Sequence, residues 1–269
     1  MTEGATQETA DGMSLEKIES IIQALRQERY RWTPVRRTYI LKKNGKKRPL
    51  GLPTWSDKLL AEVIRSILEA YYEPRFSSHS HGFRPNRGCH TALQEVIQKG
   101  RGTKWFIEGD LCACFDKIDH TILLDILAEH FQDNRFIRLI THLLKAGYLE
   151  NWKFNTTLSG VPQGNIVSPI MSNIVLDRLD KYVEQQLIPA YTRGRLRKIN
   201  PSYNRLAVIA CKARKEGNWE QVHKLKRQIQ SMPSYNPNDP DFRRLWYVRY
   251  ADDCVPRAQR RLQEVITVN

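Results

Sequence analysis

The 269-residue sequence lacks long apolar runs, internal repeats and any organised set of cysteines. No segment approaches the ~20 consecutive apolar residues that a membrane-spanning helix requires. The polar residues 1–12 have neither the apolar segment of a signal peptide nor the arginine-rich pattern of a transit peptide. These absences argue against a membrane-embedded or secreted protein, and we expect a cytoplasmic one.

The five cysteines follow neither a disulfide framework nor a zinc-site spacing. Cys112 and Cys114 would share one face of a strand, but Cys89, Cys211 and Cys254 provide no second ligand pair. We therefore expect free thiols in a reducing compartment.

Acidic residues are scarce: 29 Asp and Glu stand against 43 Lys and Arg, which gives a net charge of +14. Such an excess favours a polyanionic partner. It is concentrated between Thr192 and Arg227, where Pro201 and the Gly217-Asn218 pair separate two predicted helices. We predict a basic helical insertion over residues 190–232 that contacts phosphates of structured RNA, with a merely solvated hairpin as the alternative. The residues assigned to RNA are Arg193, Arg195, Arg197, Lys198, Arg205, Lys212, Arg214 and Lys215.

Two adjacent carboxylates follow the apolar, β-prone run Leu245–Val248, in the sequence Tyr250-Ala251-Asp252-Asp253. Like charges this close repel and raise each other's pKa, and a divalent cation removes that penalty. Carboxylate oxygens are hard ligands that suit Mg²⁺. The motif is short, so it needs support from elsewhere in the chain.

A third carboxylate provides that support. The run Lys104–Leu111 predicts a strand that delivers Asp110. If this strand lies beside the strand of the acidic pair, Asp110 would complete a cage for two metal ions. The alternative is that Asp110 only caps the following helix. Between the acidic segments, the loop Leu158–Asn165 is rich in Gly and Pro, and Ser168 with Pro169 predicts a helix start.

These motifs, in this order, resemble those of a reverse transcriptase: Asp110 with Phe115-Asp116, then Gly160-Val161-Pro162-Gln163-Gly164, then Tyr250-Ala251-Asp252-Asp253. Three further segments are similar to the group II intron-encoded type, the maturase-reverse transcriptases: Arg48–Pro53, Ser80–Gly88 and Phe242–Leu245. The likeness runs from about Asp11 to Asp253, nearly the whole chain.

The resemblance implies RNA-directed DNA polymerase activity. Asp110, Asp252 and Asp253 would be the catalytic residues and would bind two Mg²⁺ ions, with Mn²⁺ as a possible substitute. The partners would be an RNA template, an intron RNA, a DNA primer or target, and dNTPs. The resemblance also implies a bacterial-type protein that is associated with RNA or with the nucleoid.

The resemblance also assigns the nucleotide pocket. Phe115 would exclude a ribose 2′-hydroxyl and so select dNTPs, and Gln163 and Gly164 would lie beside the templating base. Tyr250 would lie near the primer terminus. Core packing is the alternative for Phe115 and Tyr250, because aromatic residues are usually buried.

A basic hairpin is predicted over Val35–Arg48, because Asn44-Gly45 lies between two β-prone runs. In the family this hairpin covers the incoming dNTP. The resemblance therefore assigns dNTP binding to Arg48 and to either Lys42 or Lys43. A solvated hairpin or a general RNA contact is the alternative.

The loop Gly82–Gly88 carries Arg84 and Arg87, to which the resemblance assigns contacts with the template backbone. His79 and His81 lie beside it without cysteine or carboxylate at a metal-site spacing, so we expect no metal there.

The predicted fold class is α+β, with an antiparallel palm sheet packed against helices, as in the fingers and palm of a right-hand polymerase. Helices are expected at Ser14–Arg29, Asp57–Tyr72, His120–Phe131 and Arg135–Lys145. The domain prediction is a disordered lead-in over residues 1–13, a fingers and palm domain over 14–255, and a short tail over 256–269.

After Cys254, Pro256 interrupts the strand that the family places there, since proline cannot donate to a sheet ladder. We expect several residues of that second strand to be missing, no thumb, and a C-terminally truncated or decayed copy. Two alternatives to polymerase activity therefore stay open: an RNA-binding, maturase-like protein, and an inactive remnant.

Overall fold

The computed structural model describes residues 4–6, 8–41, 45, 47–100, 105–107, 109–111, 113–161, 164–254 and 257–258. The chain divides into two compact units. The first contains Met1–Ile97, Glu108–Tyr182 and Val248–Cys254, and the second contains Gln98–Ile107, Val183–Tyr247 and Val255–Asn269. Within the described ranges, no helix has the length and apolar character of a membrane span.

The helices begin where polar side chains cap their first turns. Ser14, Thr54, Asp119, Asp133 and Asn200 each accept a hydrogen bond from a backbone N–H of the helix that follows. In chain order the helices are α1 (Leu15–Arg26), α2 (Trp55–Tyr72), α3 (Cys89–Lys99), α4 (Cys114–Lys117), α5 (His120–Ala128), α6 (Asn134–Leu144), α7 (Ser168–Tyr182), α8 (Ile188–Tyr191), α9 (Pro201–Lys215) and α10 (Trp219–Gln230).

The strands are short and form three sheets among the described residues. They are β1 (Val35–Leu41), β2 (Lys47–Leu52), β3 (Trp105–Phe106), β4 (Gly109–Asp110), β5 (Tyr148–Glu150), β6 (Lys153–Asn155), β7 (Leu245–Trp246), β8 (Arg249–Tyr250), β9 (Asp253–Cys254) and β10 (Arg257–Ala258). The sheet β2-β1-β5-β6 contains one parallel pair, β1 with β5. The sheets β4-β9-β8 in the first unit and β3-β10-β7 in the second are antiparallel.

The core of the first unit is built by α2, α5, α6 and α7. Leu68, Leu123, Leu127, Ile140 and Met171, which come from these four helices, have no exposed surface. Such residues recur along each helix at the three- and four-residue spacing of an amphipathic face. This core fixes α7, which in turn packs against α4 and reaches β8 through an ion pair.

The second unit contains a helical hairpin of α9 and α10. The two helices pack along each other, with Ala213 buried. At the hairpin base, Asp239 accepts a hydrogen bond from Lys198 N at 2.6 Å, and Arg193 pairs with Arg243 through the backbone. A turn capped by Asn218 joins the helices.

The predicted helices and the β1–β2 hairpin are confirmed, with shifted ends. Helix α1 ends at Arg26 rather than Arg29, and Glu28 beyond it has a left-handed φ of 56°. Helix α2 begins before Asp57, because Thr54 caps it. The basic segment contains two helices that separate at Gly217-Asn218, as predicted.

Strand β9, which begins at Asp253 of the acidic pair, has two residues and pairs with both β8 and β4, and β10 comes after it. Two structural predictions are wrong. Strands β3 and β4 lie in the segment predicted as one strand, Lys104–Leu111, but they belong to different sheets. Cys114 begins a short helix rather than lying on a strand. Pro256 and Cys112 lie outside the described residues.

Candidate active site

The β4-β9-β8 sheet brings the three predicted acidic residues to neighbouring backbone positions. Strands β8 and β9 form a tight hairpin that turns at Ala251-Asp252, with Ala251 in the left-handed conformation at a φ of 55°. Strand β4 pairs with β9 so that Asp110 lies opposite Asp253. Leu111 N donates to Asp252 O at 3.4 Å. Asp110, Asp252 and Asp253 therefore lie on adjoining backbone segments.

The accessible carboxylates have the chemistry of a divalent-cation site. Asp252 is half-buried and Asp253 is exposed, while the side chain of Asp110 lies outside the described part. Among the side chains that the structure describes, no three His, Cys, Asp or Glu groups form a metal cluster. Carboxylates delivered by paired strands are nevertheless the donor set that a hard cation prefers.

Phe115 lies in the short helix α4, which the loop Gly160-Val161 holds in place. Val161 N donates to Phe115 O at 2.8 Å, and Gly160 N donates to Ile118 O at 2.8 Å. A Cβ at Gly160, whose φ is 86°, would lie 2.7 Å from Asp116 O, so this approach requires glycine. The Phe115 ring is partly buried and meets the Phe83 ring edge-on, with centroids 6.1 Å apart.

Gly164 lies directly against β2. Its φ is 100°, and a Cβ there would lie 2.5 Å from Gly51 O. The loop that carries Gly164 is thereby held beside the strand that carries Arg48, which is exposed and lies opposite Ile40 in the hairpin. Gln163, Lys42 and Lys43 lie outside the described residues.

The two arginines of the loop Gly82–Gly88 have different environments. Arg84 is buried, and its guanidinium donates to the Glu73 carboxylate and to the carbonyl oxygens of Ser77 and Ser80. Arg87 is half-buried and donates to Ser78 O at 2.6 Å. The burial of Arg84 does not support its predicted contact with a template.

A carboxylate that the sequence analysis missed joins the two histidines. Glu95 on α3 bonds His79 Nδ1, and its second oxygen lies 2.8 Å from His81 Nε2. Thr91 Oγ1 lies 2.8 Å from His81 Nδ1. The separation of 14 to 16 residues along the chain hid this cluster, because only the packing of α3 brings Glu95 to the loop.

Burial raises the pKa of the Cys114 thiol. The hydrogen bond with Ser172, at 3.6 Å between Sγ and Oγ, lowers the pKa, while the charge of Asp252 adds to the rise. The thiol therefore stays protonated at neutral pH. None of the four described cysteines forms a disulfide.

A cleft of about 450 Å³ lies between β1, β2 and the segment 156–161. The Arg37 guanidinium stacks over the Tyr148 ring at 3.4 Å in its wall, and Asp116 and Gly160 also line it. No sequence pattern indicates this pair, because β1 and β5 are more than 100 residues apart and meet only in the sheet.

The predicted RNA-binding residues are largely exposed in the second unit. Lys198 forms an ion pair with Asp241, which raises the pKa of Lys198. Arg197 is half-buried over the Phe242 ring. The other six are exposed: Arg193, Arg195, Arg205, Lys212, Arg214 and Lys215.

Comparison with known proteins identifies one family. A family model described as reverse transcriptase (RNA-dependent DNA polymerase) matches residues 40–210. The group II intron-encoded protein LtrA of Lactococcus lactis subsp. cremoris is 45% identical over 262 residues, which cover 94% of this chain and 44% of that protein. An uncharacterized 91 kDa protein in cob intron of Schizosaccharomyces pombe is 41% identical, over 95% of this chain and 32% of that protein.

A solved structure described as a partial Cas6-RT-Cas1-Cas2 complex has a TM-score of 0.46 and 16% identity, over 94% of this chain and 34% of that chain. The chain spans less than half the length of the curated relatives described above.

Proposed function

Because the chain belongs to the reverse transcriptase (RNA-dependent DNA polymerase) family, we propose that it carries an RNA-directed DNA polymerase active site of the group II intron type. The resemblance predicted from the motifs is confirmed by the intron-encoded relatives. The pairing of β4 with β9 carries the proposal, since it sets Asp110 opposite Asp253 and beside Asp252.

Asp110, Asp252 and Asp253 are proposed to hold two Mg²⁺ ions, with Mn²⁺ as a possible substitute. Reverse transcriptases as a family use divalent ions. Bound there, the ions would promote attack by the primer 3′-hydroxyl and neutralise charge on the departing pyrophosphate. The carboxylates themselves fix where the reacting phosphate lies. Asp253 is exposed and Asp252 is only half-buried, which supports this role, because the triphosphate must reach them.

Phe115 is proposed to select the sugar of the incoming nucleotide. Its turn is fixed by Gly160 and Val161, and its ring is supported by Phe83, so the aromatic edge has little room to yield to a 2′-hydroxyl. Gly164 and Gln163 would lie beside the templating base.

Positive charge for the triphosphate would come from the β1–β2 hairpin. Arg48 is exposed on β2, beside the strand segment that Gly164 contacts. Either Lys42 or Lys43 would accompany it. A guanidinium fork and an ammonium both bind phosphate oxygens.

Tyr250 and Arg87 are the remaining contacts proposed for the primer and template. Tyr250 is 39% exposed immediately before the acidic turn, which favours contact with a primer end over core packing. In this assignment the β4-β9-β8 sheet with α7 belongs to a palm, and the β1–β2 hairpin to fingers.

RNA binding is the second candidate function, favoured by the exposed cations of α9 and its approach segment. Seven of the eight predicted residues are exposed on one short stretch, which suits contact with the phosphates of structured RNA. A maturase role would use this surface whether or not the chain polymerises. The partners would be a template or intron RNA and a DNA primer or target.

Primer extension tests the polymerase proposal. A DNA primer on an RNA template is incubated with dNTPs and Mg²⁺, and extension is compared between the wild type, Asp252→Ala and the control Asp125→Ala on the exposed face of α5. We expect extension by the wild type and the control, and its loss in Asp252→Ala. Absence of extension by a folded wild type that binds RNA would leave only the RNA-binding function.

A further inference from the structure

Arg249, the first residue of β8, forms a fully buried ion pair. Neither Arg249 nor its partner Asp180 on α7 has exposed surface. Arg249 Nε donates to Asp180 Oδ1 at 2.8 Å, and Nη2 donates to Oδ2 at 2.6 Å. Removing two charges from water costs free energy that their attraction only offsets, so such a pair contributes little to stability by itself.

The remaining donors of Arg249 hold the acidic turn. Nη1 donates to Ala251 O at 2.7 Å and to Asn173 Oδ1 at 3.1 Å, and Nη2 also donates to Ser80 Oγ at 2.8 Å. All five N–H groups of the guanidinium are thereby used. Ala251 O belongs to the peptide bond that leads into Asp252, so the guanidinium fixes the orientation of that peptide.

The loop before α3 holds the same turn from a second side. Arg249 N donates to His79 O, and His81 N donates to Arg249 O, both at 2.9 Å. Gly82 lies so close that a Cβ there would come within 2.3 Å of Ala251 N. Asn173 Nδ2 donates to Gly82 O at 2.9 Å and links this loop to α7.

We propose that Arg249 is a positioning residue for the metal-binding turn, held in register by Asp180. This inference rests on the proposed function, in which Asp252 and Asp253 bind the catalytic ions. The guanidinium keeps Ala251 in its left-handed conformation and sets the direction in which the two carboxylates leave the turn. The site is then organised before a metal ion and a nucleotide arrive.

Asp180→Asn tests the proposal, because it keeps the size of the side chain and removes the charge that anchors Arg249. In primer extension at a temperature well below melting, we expect kcat to fall by about 10- to 100-fold. The KM for dNTP should stay unchanged, and the half-saturating Mg²⁺ concentration should rise. A purely structural role would lower the melting temperature and leave the Mg²⁺ dependence as it is.

Asp177→Asn is the matched control on the same helix. Asp177 is also buried; it accepts a hydrogen bond from Ser77 N at 3.3 Å and pairs with Lys181, but none of these contacts reaches the turn. We expect this variant to lose stability and to keep its Mg²⁺ dependence. If Asp180→Asn does not fold, Ser80→Ala replaces it as the test variant. This change removes only the hydroxyl that accepts a hydrogen bond from Arg249 Nη2.

The outcomes separate this inference from the proposed function. A wild type that extends primers, with an Asp180→Asn or Ser80→Ala variant unchanged in kcat and Mg²⁺ dependence, would overturn the positioning role. A wild type that does not extend primers would overturn the polymerase proposal. Equilibrium Mn²⁺ binding then tests the positioning role without catalysis: weaker binding by the variants supports it, and equal binding overturns it.

Discussion

At the scale of single residues, two alanines in the left-handed conformation flank the proposed chemistry. Ala113 and Ala251 both have a φ of 55°; the first precedes the turn of Phe115, and the second precedes Asp252. This conformation costs an L-residue roughly 1–2 kcal/mol, so the surrounding contacts must hold it in place. Ala113 O accepts from Asp116 N and Lys117 N, and Ala251 O accepts from the Arg249 guanidinium.

The contact between Phe83 and Phe115 leads to a prediction about sugar selectivity. An edge-to-face ring contact contributes about 0.5–1.5 kcal/mol, so Phe83→Ala should reduce the preference for dNTPs over NTPs by roughly 2- to 10-fold. Phe115→Ala should reduce it further. The measurement is the ratio of kcat/KM for dNTP and NTP in single-nucleotide addition.

Phe154→Ala is the control for that experiment, because Phe154 is 56% exposed and Phe83 is 57% exposed. Its ratio should equal that of the wild type. A Phe83→Ala variant that keeps full discrimination would show that Phe115 is held without this ring.

At the scale of elements, we expect the buried and exposed faces of α5 to contribute differently to stability. Leu127 has no exposed surface, whereas Ile122 on the same helix is 54% exposed. Leu127→Ala should lower the free energy of unfolding by about 2–5 kcal/mol through lost burial and a cavity. Ile122→Ala should change it by about 0.5 kcal/mol or less. Denaturant unfolding gives both values, and equal losses would contradict the assigned core.

At the base of the α9–α10 hairpin, we expect the stability that Asp239 contributes to depend on pH. The backbone N–H of Lys198 lowers the pKa of Asp239, burial opposes this, and the N–H of Asp241 also lowers it. A lowered pKa contributes stability that is present above the unfolded value of about 3.9 and is lost as the pH falls through the folded pKa. Asp239→Ala should therefore lower the melting temperature at pH 7, and the difference should shrink below about pH 4.

Asp241→Ala provides the comparison, since its ion pair with Lys198 is exposed. Exposed pairs contribute little, so this variant should melt close to the wild type. A pH-independent difference for Asp239→Ala would show that its role is steric rather than electrostatic.

The elements differ in how far the sequence could predict them. The start of α5 at His120 could be predicted, because its cap Asp119 bonds its own neighbours along the chain, whereas the start of α2 after Thr54 was placed too late, at Asp57. Strands of two residues carry almost no periodicity, so the division into three sheets could not be predicted from the sequence. The ion pair of Arg249 with Asp180 spans 69 residues and exists only after α7 has packed.

At the scale of the whole molecule, the net charge of +14 supports a nucleic-acid partner, and the exposed cations of α9 make this testable. Replacing Arg205, Lys212, Arg214 and Lys215 with Gln should weaken binding to structured RNA. Each lost phosphate contact should also flatten the dependence of log K on log salt by about 0.7–0.9. Filter binding across a salt series measures both effects.

The matched control replaces four cations of the first unit, Arg135, Arg138, Lys145 and Arg178, and removes the same charge. If net charge alone attracted RNA, the two variants would bind equally. We expect the α9 variant to bind more weakly and with the flatter salt dependence.

We propose that β4 and the β8–β9 hairpin together form one metal site. Fe²⁺-directed cleavage tests it: Fe²⁺ replaces Mg²⁺, and hydroxyl radicals generated with ascorbate and peroxide cut the nearby backbone. We predict cuts near both Asp110 and Asp252, suppressed by excess Mg²⁺ and lost in Asp252→Ala. Cuts near only one of these residues, or an unchanged pattern in Asp252→Ala, would contradict the account.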